Sequence, residues 1–504
     1  MHQHLLDGHH GLRISRRAFV GRSSLSVTVH PPTFTSWDLG FKHPGESTKP
    51  EPRLAFAQNP DLLLSVKETA RWIDSARQQD SSGIHWLPEP DHPEKSVTVS
   101  AANTIYSGSA GTILFFIQLA EATGEAQYLE AAAQGADYLA ATWQDLTVES
   151  TDDTHSASSQ ELSFYHGLAG AAFVLNEAGK ATGDSKYRDA SRAATDHIVQ
   201  TARTVGSGVA WSDRVGISAD GGIVLYLLYA AREFSNEKYR DIAVRAGDRI
   251  LEQATRQRNG GFSWRSSSCY EELTREVISP NFENGTAGVA YMFARLFSET
   301  NRAKYLYAAK QGALHLQTIA TLHGNAALIP YRLPDLPDLY YLGFCHGPAG
   351  TARTFFELHR ITREPVYQEW AERLVQGIIQ SGIPENQTPG YWNVVCQCCG
   401  SAAVIDLFVG LWSSTGRASY LDFAQRVSRQ LLSRTSDPDG KGSRWYQSWT
   451  RIKPWEIRAE TGYSIGASGV GCALLHLHLA EQGRYRAIHF PDNPFASERH
   501  EEFL

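Results

Sequence analysis

The sequence predicts an all-α fold, an (α/α)7 toroid of seven inner and seven outer helices. Three observations carry that prediction. A five-residue glycine motif recurs seven times, a tyrosine follows it at a fixed distance, and each motif opens an apolar helical stretch that is followed by an amphipathic one. Paired helices repeated at this spacing stack into open solenoids or close into rings. No polar capping repeat stands at either end, so closure is expected.

The motif is close to [HC]-G-x-[AS]-G. It reads Ser107–Gly111, His166–Gly170, Ser218–Gly222, Asn284–Gly288, His346–Gly350, Cys399–Ala403 and Ile465–Gly469, with steps of 59, 52, 66, 62, 53 and 66 residues. Tyr128, Tyr187, Tyr239, Tyr305, Tyr367 and Tyr420 each lie 17 residues beyond a motif, and Tyr485 lies 16 beyond the last. The stretch after each motif, such as Thr112–Ala122, is apolar on most sides, as a fully buried helix would be. Gly124, Gly183, Asn301 and Gly416 stand 13 residues past their motifs and suit left-handed helix ends. An amphipathic outer helix is expected around each tyrosine, and a further one, Pro60–Gln78, precedes the first motif. The motifs begin the inner helices, so all seven converge on one face.

Residues 1–58 stand outside this pattern. They contain Ser15-Arg16-Arg17-Ala18-Phe19-Val20, which resembles a twin-arginine export signal, and Ala55-Phe56-Ala57, which resembles a signal-peptidase site. Val20–Phe41 lacks an apolar core, so the alternatives are export by that route or a disordered basic tail on a cytoplasmic protein. The toroid is assigned to residues 59–490 and a C-terminal tail to 491–504. Forty-seven basic against 54 acidic residues give a net charge of -7, which argues against a nucleic-acid partner. No apolar run is long enough for a transmembrane helix.

The chemistry lies in the cysteines. Six are present, and Cys396, Cys398 and Cys399 fall within four residues. Aligning the repeats puts Phe344-Cys345-His346-Gly347 over Gln397-Cys398-Cys399-Gly400. Cys345 and Cys398 are thus equivalent, as are His346 and Cys399, all at the starts of adjacent inner helices. There the helix dipole is expected to lower a thiol's pKa. Three thiolates at one point suit Zn2+ and leave it a fourth, open position, as in catalytic zinc sites. Cys345, Cys398 and Cys399 are the expected ligands, with Cys396 as a competitor for the third place.

The seven repeats, the F-C-H-G segment and the C-C-G segment resemble the lanthionine synthetase C-like family, over about Leu62 to Ile488. The resemblance implies a zinc-bearing α/α toroid that adds cysteine thiols to dehydroalanine or dehydrobutyrine in a peptide. The family's usual ligands are two Cys and one His. Cys345 and Cys398 match the two Cys, and Cys399 stands at the His position, as in the family's three-cysteine subset. A third thiolate would make a bound substrate thiolate more nucleophilic. The family's proton-handling His corresponds to Asn284 and its Arg to Tyr341, while Asp213 and Asp220 lie near, but shifted from, a family Asp. His346 and His166 are therefore the acid/base candidates. The substrate is expected to be a peptide or a small thiol, with dehydro residues supplied by a separate dehydratase. The alternatives are a carbohydrate-active toroid, for which the motif positions offer only Glu283 and Asp220 as carboxylates, and a non-catalytic peptide binder. Finally, Arg353 and Asp406 occupy the same place on adjacent inner helices, normally apolar, and are expected to form a buried ion pair below the metal.

Overall fold

Two kinds of helix alternate along the chain, and composition decides which kind goes where. In the computed structural model, which describes residues 61–93, 103–147, 162–258, 260–265, 278–448 and 450–500, the inner helices are α2 (Ser109–Thr123), α4 (Leu168–Thr182), α6 (Asp220–Glu233), α8 (Thr286–Thr300), α10 (Pro348–Thr362), α12 (Ser401–Thr415) and α14 (Ala467–Glu481). The outer ones are α1 (Leu62–Ser75), α3 (Ala126–Thr142), α5 (Ser185–Gln200), α7 (Glu237–Glu252), α9 (Ala303–Ile319), α11 (Pro365–Gln380) and α13 (Ala418–Leu432). The export-signal segment and Cys269 lie outside the described residues.

Inner helices are buried nearly all round; in α2 the first eleven residues are all buried. Outer helices bury one face, as α7 does with Tyr239, Ala243, Val244, Ala246, Gly247 and Ile250. Each inner helix packs on the next, and α14 packs back on α2, so the ring closes as expected. The seventh pair is made by the two chain ends, with α1 serving as the outer partner of α14. Tyr485 therefore lies on a strand, Arg484–Arg486, and not on an outer helix as its spacing suggested.

The fixed tyrosines fasten one outer helix to the one before. The hydroxyls of Tyr187, Tyr239 and Tyr305 donate to Asp137, Asp196 and Asp248 at 2.8, 2.8 and 2.6 Å, and that of Tyr420 to Glu372 at 2.6 Å. A single offset in the sequence thus encodes the same contact at four places in the ring. Left-handed residues stop the inner helices at Gly124, Gly183, Asn301 and Gly416 as expected; Ser235 and Arg363 do the same in the third and fifth repeats. The last glycine of the motif is required for close approach: a Cβ on Gly350 would sit 2.0 Å from the Phe344 carbonyl oxygen.

The motif loops form a belt of backbone hydrogen bonds at one mouth of the ring. Tyr106 N–H donates to Tyr165, Glu283 N–H to Cys345, Phe344 N–H to Cys398, Cys398 N–H to Ser464, and Ser464 N–H to Tyr106. From below, the C-terminal residues enter the ring. The strands Arg484–Arg486 and Glu498–His500 pair, and the segment between them lies among the inner helices. Phe490 packs on Phe164, Phe173 and Tyr463, and Phe495 on Phe356. Phe490, Asp492 and Phe495 are 7, 1 and 2 % exposed, so the start of the segment assigned as a C-terminal tail is buried inside the ring, while Ala496 and Glu498 are exposed. No helix among the described residues is long and apolar enough to cross a membrane.

Candidate metal centre

The belt brings three sulfurs together because hydrogen bonding ties the two cysteine loops: Phe344 and Cys345 N–H both donate to the Cys398 carbonyl, at 2.8 and 3.1 Å. Gly343 makes room, since a Cβ there would lie 2.5 Å from the Cys399 backbone. Cys345 Sγ lies 3.1 Å from Cys399 Sγ, which lies 3.5 Å from Cys398 Sγ. Three sulfurs at about 2.3 Å from a tetrahedral ion would stand roughly 3.8 Å apart, so small outward turns would admit one. Cys345, Cys398 and Cys399 can therefore hold a metal ion together. Cys396 lies outside this group. Its buried thiol is pushed up to about 12, and the N–H groups of Cys398 and Cys399 turn toward its sulfur.

The expected lowering of all three thiols by helix dipoles does not occur. Burial raises Cys345 well above the ordinary range, and Cys398 is raised as well, because sharing a thiol proton with Cys399 and burial outweigh the hydrogen bond from Cys345. Cys399 alone is lowered, to about 7, by hydrogen bonds from Cys345 and Cys398. Without an ion, Cys399 is the thiol of the three that ionises first. The sulfur set is that of a soft cation, and charge is what it lacks.

Around the sulfurs stand the two histidines. His166 stacks against Tyr106 at 4.1 Å and its Nε2 lies 3.8 Å from a Glu283 carboxylate oxygen. Tyr106 donates to Cys398 Sγ at 3.6 Å. His346 stands beside Cys345 and Glu283, and the rings of Tyr331 and Tyr341 meet it edge to face at 4.8 and 5.8 Å. Both histidines thus face the cysteine mouth. Tyr106 was not foreseen as part of this site, and Glu283 was foreseen only as a carboxylate of the carbohydrate-active alternative. The one available signal was their adjacency to the first and fourth motifs, since every motif starts at this mouth. Asn284 accepts a hydrogen bond from the Ser218 hydroxyl, and Tyr341 stacks on Tyr331 at 4.3 Å. Asp220 points away into its own loop. It accepts from Trp211 N–H, Ser212 N–H and the Ser212 hydroxyl, and burial raises it to about 6. It is a structural carboxylate.

The expected Arg353–Asp406 pair does not form. Arg353 turns down to Asp492, 4.0 Å away, and Asp406 binds His476 at 3.0 Å and Gln397. Arg353 found its partner on the C-terminal segment, which the repeat alignment does not specify, and Asp406 found its partners on the next inner helix and in its own motif loop. A cavity of about 620 Å³ opens at the other mouth, among Arg295, Arg360, Arg363 and Arg417, and residues 493–496 form part of its wall. It lies away from the sulfurs.

The ring resembles a solved toroid. Nisin cyclase matches with a TM-score of 0.55 and 16 % identity, over 76 % of this chain and 90 % of that one. An unsaturated glucuronyl hydrolase from Bacillus sp. GL1 gives 0.46 and 14 %, over 86 and 98 %. The Lin0763 protein of Listeria innocua gives 0.42 and 15 %, over 84 and 97 %. At these identities the likeness to nisin cyclase bears on the fold, and the two weaker matches carry no argument. No curated protein matches the sequence. The family model for lanthionine synthetase C-like proteins matches residues 99–489, which takes in all seven glycine motifs and every residue of the sulfur cluster. The chain belongs to the lanthionine synthetase C-like family.

Proposed function

We propose that this protein is a zinc-dependent thiol-addition enzyme that forms lanthionine-type thioethers in a peptide. Cys345, Cys398 and Cys399 are the zinc ligands. The observation that carries this reading is the convergence of three sulfurs at the mouth of a ring of this family. Held by these three sulfurs, a zinc ion would supply Lewis-acid chemistry that favours the thiolate form of a substrate cysteine at neutral pH.

The addition forms a C–S bond at the β-carbon of a dehydroamino acid. The electron pair of the C=C bond moves toward the carbonyl, and the α-carbon must then take a proton. His166 and His346 are the groups placed to give it. A Glu283 carboxylate oxygen, 3.8 Å from His166 Nε2, faces that ring. Tyr106 holds the His166 ring from the side. The rings of Tyr331 and Tyr341 give His346 a dry wall suited to an apolar part of the substrate. Asn284 cannot donate a proton as an acid, so this work falls to the histidines of the second and fifth motifs. In this reading the dehydro residue is supplied by a separate dehydratase.

The test is a model peptide carrying one dehydroalanine and one cysteine, followed by mass-neutral loss of free thiol. The zinc-loaded protein should cyclise it. His166→Asn and His346→Asn should each slow the reaction while leaving zinc content unchanged. A zinc-loaded protein that leaves both this peptide and an intermolecular thiol–dehydroalanine pair unreacted would favour a binding role instead.

A further inference from the structure

Two buried chains of contacts run from the cysteine loops to one place, the C-terminal segment inside the ring. The first starts at Phe344, the residue before Cys345. The Arg353 guanidinium lies over its ring at 4.8 Å, and Tyr165 packs against it at 5.9 Å. Both meet Asp492. The Tyr165 hydroxyl donates to it at 2.7 Å and Arg353 lies 4.0 Å away. The second chain starts at Gln397, between Cys396 and Cys398, whose amide donates to Asp406. Asp406 faces His476 Nδ1 at 3.0 Å, and His476 Nε2 meets the Gln118 side-chain oxygen at 2.8 Å. That same oxygen accepts the Ile488 N–H at 3.2 Å.

A carboxylate inside a protein is costly unless it is partnered. The side chain of Asp492 is 2 % exposed, and both of its partners touch the residue next to a ligand cysteine. A segment needed only to fill the ring would be better made of apolar side chains throughout.

We propose that the C-terminal segment 487–496 positions the metal-binding loops. Asp492 acts through Arg353 and Tyr165 on the Cys345 loop, and Ile488 acts through Gln118, His476 and Asp406 on the Cys398 loop. The inference rests on the zinc reading above. None of these groups reaches the sulfurs, so they are positioning residues, of the kind that orient a metal's ligands from behind.

The experiment uses the full-length, zinc-loaded protein. Zinc release to a chromophoric chelator is timed, the visible bands of the cobalt-substituted protein are recorded, and Tm is measured alongside. Asp492→Asn and Asp406→Asn should each speed zinc release about tenfold and shift the cobalt bands. Thr195→Val, which removes a buried hydrogen bond to Tyr226 on the far side of the ring, serves as a stability control and should change Tm alone. Should an Asn variant not fold, Arg353→Lys keeps the charge but loses the flat stack on Phe344, and faster release is again expected. Release at the wild-type rate with unchanged cobalt bands would overturn the inference, whatever happens to Tm. Zinc-free wild-type protein would instead defeat the zinc reading itself.

Discussion

Cys399 is the residue on which the site turns. In the metal-stripped protein it is the thiol nearest to ionisation at neutral pH, at about 7, while burial holds Cys345 protonated. The thiolate is the nucleophile, and its fraction grows as pH rises through the pKa. Alkylation of the stripped protein should therefore begin at Cys399, with a rate half-maximal near pH 7, and zinc should block it. Peptide mapping by mass spectrometry checks this; labelling that starts at Cys345 or Cys396 would count against the assignment. Cys399→His should retain zinc, because imidazole is an equally good ligand at that place, but should slow thiol addition, because one thiolate charge is gone. Metal analysis and the cyclisation assay read the two effects separately. The repeat register made Cys345, Cys398 and Cys399 legible, since equivalent positions in a ring share one height. Tyr106 was not legible as a site residue, and Glu283 was legible only as a motif-position carboxylate, not as a neighbour of the sulfurs and His166. Alignment gives the place of a Cα on the ring but not which loop side chains turn inward.

At the scale of elements, the tyrosine offset explains the outer layer. Four of the hydroxyls tie one outer helix to the one before it, as that of Tyr305 does to Asp248 at 2.6 Å. Tyr305→Phe keeps the buried ring and removes the hydroxyl that donates to Asp248 and the Val244 carbonyl, so it should cost about 1 kcal/mol in chemical denaturation. A cost near zero would mean that the offset reflects ring packing alone. The helices themselves were readable because apolar stretches opened by a glycine motif and amphipathic ones leave little choice of layer. Tyr485 misled because the seventh outer helix comes from the other end of the chain, so the last tyrosine had no helix to begin. Ser235 and Arg363 were missed as helix stops because neither residue advertises a left-handed backbone; position in the repeat, not residue type, imposes it.

For the whole molecule, the closed ring follows from the repeats, and its contents do not. The C-terminal segment carries no repeat signature, yet it fills the lumen and takes up Arg353, which the alignment had paired with Asp406. A periodic sequence specifies neighbours around the ring, whereas what lies on the axis is equidistant from all of them. This leaves one mouth for chemistry, the one lined by the seven motif loops. The central claim is that three sulfurs there hold one zinc. X-ray absorption at the zinc edge of the purified protein, with metal analysis, tests it most directly. About one zinc per chain is predicted, with three sulfur neighbours at about 2.3 Å, lost in Cys345→Ala and Cys398→Ala and kept in Cys269→Ala. A zinc edge with no sulfur shell, or a metal content unchanged by loss of Cys345 and Cys398, would contradict it.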